Sequence, residues 1–118
     1  MPTGADLVAR AKTKIREITA QEASAQSKTA RILDVREPGE YAQGHIPGAI
    51  NIPRGLLEVT IDSHPVLKDR DLPLIVHCQA GARSALATAT LVELGYTKAV
   101  NMAGGFAAWK AAELPVEK

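Results

Sequence analysis

The chain contains 118 residues, of which 46% are hydrophobic and 23% are charged, as in an ordinary globular domain. A chain of this length buries roughly two-thirds of its unfolded surface in one core, so we expect one domain over residues 1–118. The 14 basic and 13 acidic residues give a net charge of +1, which excludes general electrostatic attraction to nucleic acid or to an anionic membrane. One Trp, one Phe and two Tyr are too few for a surface that stacks single-stranded nucleic acid.

The cysteine and histidine content limits the chemistry further. Cys78 is the only cysteine, which excludes an internal disulfide and every zinc pattern that needs two cysteines. The three histidines show no metal-ligand spacing, so we expect neither a metal nor a cofactor. No apolar run approaches a membrane span, and residues 1–19 carry charges throughout, unlike a signal peptide. We therefore expect a cytoplasmic protein whose thiol stays reduced.

Predicted helices and strands alternate along the chain. Residues 1–15 are predicted to be an extra helical segment outside the main sheet. The predicted helices are Asp6–Lys14, Ala20–Gln26 (with Thr19 and Glu22 as a capping box), a short helix beginning at Pro38, Leu56–Val59, Ala82–Leu94 and a final helix holding Phe106 and Trp109. The predicted strands are Ile15–Ile18, Ala30–Val35, Ala49–Ile52, Leu74–Cys78 and Ala99–Met102. The stretch Asp62 to Asp71 is predicted as a surface connection. This alternation predicts a three-layer α/β fold, a mostly parallel sheet with helices on both faces.

The pattern predicts that Cys78 lies where a buried strand gives way to a helix, facing free backbone N–H groups and the positive end of the helix dipole. That setting lowers a thiol pKa and binds anions. Gly81 lets successive N–H groups converge on one centre, and Arg83 adds positive charge at the rim. A lone cysteine is more often a small buried hydrophobe, but a structural cysteine does not need this loop. We therefore predict that Cys78 is a nucleophile at the carboxyl edge of the sheet, where ligands bind in such folds.

Other polar residues near this edge are predicted to be structural. His77 and Cys78 point to opposite faces of their strand, so His77 is a satisfied structural histidine rather than a paired base. Arg36 and Glu40 are expected to form an ion pair that holds the turn after the preceding strand. Asp34 is expected to accept N–H groups near the loop. Phe106 and Trp109, three residues apart on a helix, are expected in the core rather than in a substrate wall.

Three stretches carry a resemblance to a known family. Asp34–Asn51 (DVREPGEYAQGHIPGAIN) resembles the N-terminal signature of the rhodanese family. Cys78–Ser84, with Cys, two residues, Gly, one residue, Arg and Ser, matches its active-site loop, and Gly104–Trp109 (GGFAAW) resembles its C-terminal signature. The three motifs occur in the family's order and cover nearly the whole chain, leaving the first helix outside.

The resemblance implies a rhodanese-type domain and a sulfurtransferase that works by double displacement. The thiolate of Cys78 would take the outer sulfur of thiosulfate as a persulfide and pass it to cyanide or an external thiol. Arg83 would bind the sulfonate end, and Asp34, Arg36 and Glu40 would support the site. The substrate-binding residues implied are Gln79, Ala80, Gly81, Ala82, Arg83 and Ser84. We expect small-molecule substrates and a monomer.

Other functions remain open for this chain. Some relatives with this fold are phosphatases or arsenate reductases, which have five residues between Cys and Arg. Only four residues separate Cys78 from Arg83, so the loop suits a sulfur atom better than a tetrahedral phosphate. Non-catalytic rhodanese modules that bind proteins commonly lack the cysteine, which this chain keeps. A persulfide carrier that serves a protein acceptor would use the same loop as a thiosulfate enzyme.

Overall fold

Five parallel strands form the central sheet of the computed structural model, which describes residues 1–118. Their order across the sheet is β1-β5-β4-β2-β3, with β4 in the centre. The strands are β1 Arg16–Ile18, β2 Arg31–Asp34, β3 Ile50–Asn51, β4 Leu74–His77 and β5 Ala99–Met102. The register of β2 against β4 places Asp34 opposite His77. Both residues therefore lie at the carboxyl ends of neighbouring strands.

Helices cover both faces of this sheet, as the alternating sequence pattern predicts. The helices are α1 Gly4–Lys12, α2 Ala20–Gln26, α3 Pro38–Gln43, α4 Leu57–Thr60, α5 Ala82–Glu93 and α6 Gly105–Ala111, with 3₁₀ turns at Arg54–Leu56 and Ile61–Ser63. Helix α1 packs against α5, and α2 packs against α6. None of the helices combines the length and apolar character needed to cross a bilayer.

Alternate residues of each strand separate the core into two layers. Leu33 and Val76 face the layer that contains α5, together with Leu91 and Tyr96. Their neighbours Ile32 and Ile75 face the opposite layer, which contains Phe106 and Trp109 among others. Side chains that point to opposite faces at successive positions are what a sheet buried on both sides requires. The predicted three-layer α/β fold is thus confirmed.

The structure differs from the predicted elements mainly at their ends. Helix α1 begins at Gly4 rather than Asp6, because Thr3 and Asp6 form a capping box in which each accepts the other's backbone N–H. The stretch from Asp62 to Asp71, predicted as a surface connection, has one residue that lies in the core. Leu67 is fully buried, and its carbonyl accepts a 2.7 Å hydrogen bond from the buried Tyr96 hydroxyl. This segment is therefore anchored to the core.

The sheet topology creates a crevice at the carboxyl ends of β2 and β4. The chain leaves β2 toward β3 on one side and leaves β4 toward β5 on the other. Adjacent parallel strands whose connections diverge in this way open a ligand-binding crevice beyond their carboxyl ends. The residues that follow β2 and β4 are Val35 and Cys78, respectively. The fold therefore places the predicted nucleophile at its crevice.

Candidate active site

The sulfur of Cys78 lies in a cradle of hydrogen-bond donors between β4 and α5. Sγ accepts from the backbone N–H of Gly81 at 3.1 Å and from the N–H of Ser84 at 3.4 Å. The Ser84 hydroxyl lies 3.4 Å from the same sulfur and donates to it. The cysteine is only 1% exposed. Three donors converging on one buried sulfur favour its anionic form.

The backbone of Gly81 makes this convergence possible. Gly81 adopts a φ of +112° and forms the N-cap of α5, a conformation that residues with a Cβ rarely adopt. The turn directs the N–H groups of the loop toward Sγ, and α5 begins at Ala82 immediately afterwards. Its unpaired first-turn N–H groups and helix dipole add positive potential at the sulfur.

The pKa of the Cys78 thiol lies below its ordinary value. Burial of the thiol opposes this shift, since it disfavours the charged form. Hydrogen bonds outweigh burial: the Ser84 hydroxyl contributes most, followed by the backbone N–H groups of Ser84, Gly81 and Ala80. The cradle thus favours a thiolate, the nucleophilic form of cysteine.

The outer side of the loop is tied down through its carbonyl groups. The Cys78 carbonyl accepts from the Phe106 N–H at 2.8 Å and from His77 Nδ1 at 3.0 Å. The Gln79 carbonyl accepts from the Ala107 N–H at 3.0 Å. Because a peptide plane has its N–H and C=O on opposite sides, fixing the carbonyls outward helps to turn the N–H groups inward. Helix α6 therefore completes the cradle.

Three further N–H groups of the loop have no acceptor within the protein. They belong to Gln79, Ala82 and Arg83. Together with Ala80, Gly81 and Ser84, whose N–H groups lower the pKa of the thiol, these are the six residues predicted to bind substrate. N–H groups without protein acceptors form an anion-binding concavity. The loop thus has donors available beyond those that bind Sγ.

Arg83 lies near this sulfur but is engaged by Glu40. Its guanidinium forms a two-pronged pair with the Glu40 carboxylate, at 2.7 and 3.1 Å. Hydrogen bonding from Arg83 lowers the pKa of Glu40 from 4.5 to about 2. The pair is therefore complete above pH 4.5 and is lost as the pH falls through about 2.

The predicted ion pair between Arg36 and Glu40 was wrong. Arg36 turns back onto Asp34 instead, with Nη2 2.8 Å from Oδ2 and Nε 3.1 Å from both carboxylate oxygens. Helix α3 meanwhile directs Glu40 toward the first turn of α5, where Arg83 lies. Asp34 accepts from the N–H of Arg36 rather than from the active-site loop. The loop is reached by Arg36 Nη1, which makes a long 3.5 Å contact with the Gln79 side chain.

His77 is buried and forms no dyad with the sulfur of Cys78. Its Nδ1 bonds the Cys78 carbonyl, while Nε2 lies 3.6 Å from Asp34 Oδ2 and has no hydrogen-bond partner. Burial lowers the pKa of His77, despite the neighbouring Asp34 carboxylate. The absence of a dyad agrees with the strand geometry. The prediction of a fully satisfied histidine was wrong, because the ring bonds through one nitrogen only.

A pocket of about 470 Å³ adjoins the loop. Its walls include Arg36, Gln43, Gln79, Phe106 and Lys110. Phe106 is 4% exposed and belongs to the core, yet it is also the one apolar side chain of the pocket wall, so its predicted role was incomplete. Trp109 is a core residue, as expected. No three His, Cys, Asp or Glu side chains cluster in a way that could hold a metal ion.

Asn101 contacts the loop from β5, a role not foreseen in the sequence. Its buried Nδ2 donates to Glu17 at 2.8 Å and, weakly, to the Gly81 carbonyl at 3.4 Å. Gly81 is the residue whose N–H binds Sγ. The sequence signal for this contact was that Asn101 is the one polar residue in the otherwise apolar strand β5.

In the unsubstituted protein, we expect the alkylation rate of Cys78 to show an inflection with pH that lies below the free-thiol pKa of about 8.5. In Ser84→Ala the inflection moves to higher pH, because the hydroxyl that contributes most to lowering the pKa is gone. Rates of iodoacetamide alkylation between pH 5 and 10 measure this shift. Ser27→Ala, at an exposed helix end, is the control. If the alkylation rates of Ser84→Ala and Ser27→Ala depend on pH in the same way, the Ser84 hydroxyl does not lower the pKa of Cys78.

Gly105→Ala is expected to distort the loop from the α6 side. A Cβ at Gly105, which has a φ of +59°, would lie 2.5 Å from the Cys78 carbonyl oxygen and 2.7 Å from Gln79 backbone atoms. We expect a loss of about 1–3 kcal/mol in the free energy of unfolding, measured by urea denaturation. Gly55→Ala is the control, since its Cβ would contact nothing within 4 Å. Equal stability of the two variants would contradict the close approach.

Comparison with known proteins agrees with the geometry. The family model of the Rhodanese-like domain matches residues 19–112. A sulfurtransferase from Allochromatium vinosum is 38% identical over 92 residues, which cover 78% of this chain and 82% of that protein. Thiosulfate sulfurtransferase GlpE from Pseudoalteromonas translucida is 40% identical over 81 residues, covering 69% of this chain and 73% of that protein.

A solved structure from Rhodopseudomonas palustris matches at a TM-score of 0.92 and 31% identity, over 99% of this chain and 96% of that one. That protein is described as one of unknown function and a possible tyrosine phosphatase. The match includes α1, which precedes residues 19–112. Sulfurtransferase relatives support a role in rhodanese-type sulfur transfer. The chain belongs to the rhodanese family.

Proposed function

We propose that this protein transfers the outer sulfur of thiosulfate to cyanide or to a small external thiol through a persulfide on Cys78. The observation that supports this most is the cradle itself. Sγ accepts three hydrogen bonds, and three more N–H groups of the same loop, those of Gln79, Ala82 and Arg83, have no protein acceptor. A site with this many donors suits an anionic sulfur that carries a second sulfur.

In the first half-reaction the Cys78 thiolate attacks the outer sulfur of thiosulfate. The new bond joins Sγ to that sulfur, and the sulfur–sulfur bond of thiosulfate breaks. Sulfite leaves with the bonding electron pair, and the persulfide keeps one negative charge on its terminal sulfur. The free loop N–H groups stabilise this charge, as an oxyanion hole stabilises a developing oxyanion.

In the second half-reaction an acceptor thiolate or cyanide attacks the terminal sulfur. The bond between that sulfur and Sγ breaks, and the Cys78 thiolate is regenerated with the electron pair. Because Cys78 is the only cysteine, the chain cannot resolve the persulfide as an internal disulfide. The acceptor must therefore come from outside, and a monomer is sufficient for both steps.

Arg83 is the proposed binding group for the sulfonate of thiosulfate. It lies close enough to Cys78 for the two charges to interact, but Glu40 occupies its guanidinium in the structure. Both side chains are partly exposed, so the guanidinium can give up one of its two hydrogen bonds to Glu40 and donate to an incoming sulfonate instead. Glu40 then limits how strongly Arg83 binds an anion.

A phosphatase is the less favoured alternative, although one similar structure is described as a possible tyrosine phosphatase. Only Gln79 to Ala82 separate Cys78 from Arg83, and Sγ is 3.1–3.4 Å from its loop donors. A loop this short offers fewer backbone N–H groups around the sulfur than a tetrahedral phosphoryl group needs. Hydrolysis of an aryl phosphate that is lost in Cys78→Ser would favour the phosphatase.

Arg83→Ala is expected to raise the KM for thiosulfate while Cys78 remains open to alkylation. The reason is the loss of the cation, together with the release of the Glu40 carboxylate at the rim. We expect a rise of roughly tenfold to a hundredfold, since hydrogen bonds to charged groups contribute on the order of 1.5–3 kcal/mol. Steady-state kinetics with varied thiosulfate measure it.

The pair of Glu40 and Arg83 provides a matched control. Glu40→Gln frees the guanidinium and is expected to lower the KM for thiosulfate. The double variant, Glu40→Gln with Arg83→Ala, removes both charges and separates the lost cation from the exposed carboxylate. Unchanged thiosulfate kinetics in all three variants would exclude Arg83 as the sulfonate-binding residue.

Treatment with thiosulfate is expected to add the mass of one sulfur atom to the intact protein. The addition requires Cys78 and is absent from Cys78→Ser, because the persulfide forms on that thiol. Cyanide or a thiol should then restore the original mass. Mass spectrometry of the intact chain measures all three states.

If no adduct forms while Cys78 is reduced and open to alkylation, thiosulfate is not the donor. A persulfide carrier that another enzyme loads, or a non-catalytic module, would then be favoured. Loading by a persulfidated protein in the same mass assay distinguishes these two.

A further inference from the structure

We infer that Lys110 and the pocket beside the loop bind the carboxylate of the thiol acceptor, so that the enzyme prefers anionic thiols to neutral ones. This inference rests on the proposed function, because it concerns the second half-reaction. It assigns to Lys110 a role in acceptor selection.

The pocket is larger than the donor requires. Its volume of about 470 Å³ lies within the range of sites for organic ligands, roughly 300–1,000 Å³. Its wall includes Gln79, which follows Cys78 directly in the chain. A molecule bound there therefore lies next to the cradle that would hold the terminal sulfur.

The charges around the pocket leave one cation uncompensated. Arg36 is paired with Asp34, and Glu40 is paired with Arg83. Lys110 takes part in none of the ion pairs of the chain and makes no side-chain hydrogen bond to the protein. Lys110 is thus the free charge of the pocket wall. An anionic ligand is attracted there, and a cationic ligand is repelled.

Phe106 holds this cation at the pocket. Lys110 Nζ lies 5.7 Å from the centroid of the Phe106 ring, and the Arg36 guanidinium carbon lies 4.3 Å from it. Both distances are within the range of cation–π attraction. Phe106 is itself fixed by the core and by its N–H bond to the Cys78 carbonyl. The position of Lys110 is therefore coupled to that of the loop.

The remaining polar groups suit a carboxylate with further polar substituents. Arg36 Nη1 carries two N–H groups and makes only the long 3.5 Å contact with Gln79 Oε1. Gln43 adds a side-chain amide to the same wall. These donors and the Lys110 ammonium can bind carboxylate oxygens while the thiol end reaches the persulfide. A small organic thiol acid is the class of acceptor that fits.

The test compares three small thiols of similar size: 3-mercaptopropionate, 2-mercaptoethanol and cysteamine. The persulfide is installed on Cys78 with inorganic polysulfide, so that donor binding does not enter. Its discharge is followed by single-turnover mass spectrometry at low ionic strength. Each thiol is compared with itself across variants, which cancels its intrinsic reactivity.

We expect Lys110→Ala to lower the rate ratio of 3-mercaptopropionate to 2-mercaptoethanol by about twofold to fivefold, the effect of one exposed charge. Lys110→Glu should lower the ratio further and favour cysteamine, and Lys110→Arg should retain it. Lys98→Ala is the matched control, an exposed lysine that precedes β5 at the amino-terminal edge of the sheet. The same ratio in the Lys110→Ala, Lys110→Glu and Lys98→Ala chains would overturn the inference.

A second readout does not depend on sulfur transfer. Alkylation of reduced Cys78 by iodoacetate is compared with alkylation by iodoacetamide, which differs in charge. The rate with iodoacetate divided by the rate with iodoacetamide should fall in Lys110→Ala and stay unchanged in Lys98→Ala. An equal fall in both variants would refute the role of Lys110. If polysulfide fails to load Cys78 or no thiol discharges it, the proposed function fails, and the alkylation ratio still decides whether Lys110 selects anions.

Discussion

The orientation of a few peptide groups between Cys78 and Ser84 determines the properties of this site. Their carbonyls are held outward by His77 and by the first N–H groups of α6, and their N–H groups turn inward. Burial alone would raise the pKa of a cysteine that is 1% exposed. The inward donors reverse that effect and lower the pKa. Cys78 can therefore be buried and still favour the anionic thiolate.

Much of the surrounding structure serves this orientation. Strand β4 brings Cys78 to the centre of the sheet edge, and β2 brings Asp34 and Arg36 beside it. Buried charges are costly unless they are paired, and Arg36 is paired with Asp34 and also donates to the Gly44 carbonyl. The site thus contains cations whose charge is largely compensated. This makes the few uncompensated groups, rather than the total charge, decisive for binding.

The fold and the position of Cys78 between β4 and α5 were predictable because local signals encode them. The apolar run before Cys78, the glycine after it and the Ala-rich helix beyond each identify an element within a few residues. The pairing of long side chains was not predictable. Glu40 bonds Arg83 across 43 positions of sequence instead of the nearby Arg36, because the tertiary structure places the Glu40 side chain beside the first turn of α5. The position of Lys110 in the pocket wall and the dual position of Phe106 depend in the same way on where α6 docks.

The strand order also determines when the site can form. Strand β1, the first in the chain, has no sheet partner except β5, which is the last. Contacts between such distant segments form slowly, since a long stretch of chain must be ordered first. The N–H groups that fix the Cys78 and Gln79 carbonyls come from Phe106 and Ala107 of α6. During synthesis, the carbonyl side of the Cys78 loop is therefore untethered until α6 has left the ribosome, and the low pKa of the thiol is expected only after α6 has docked.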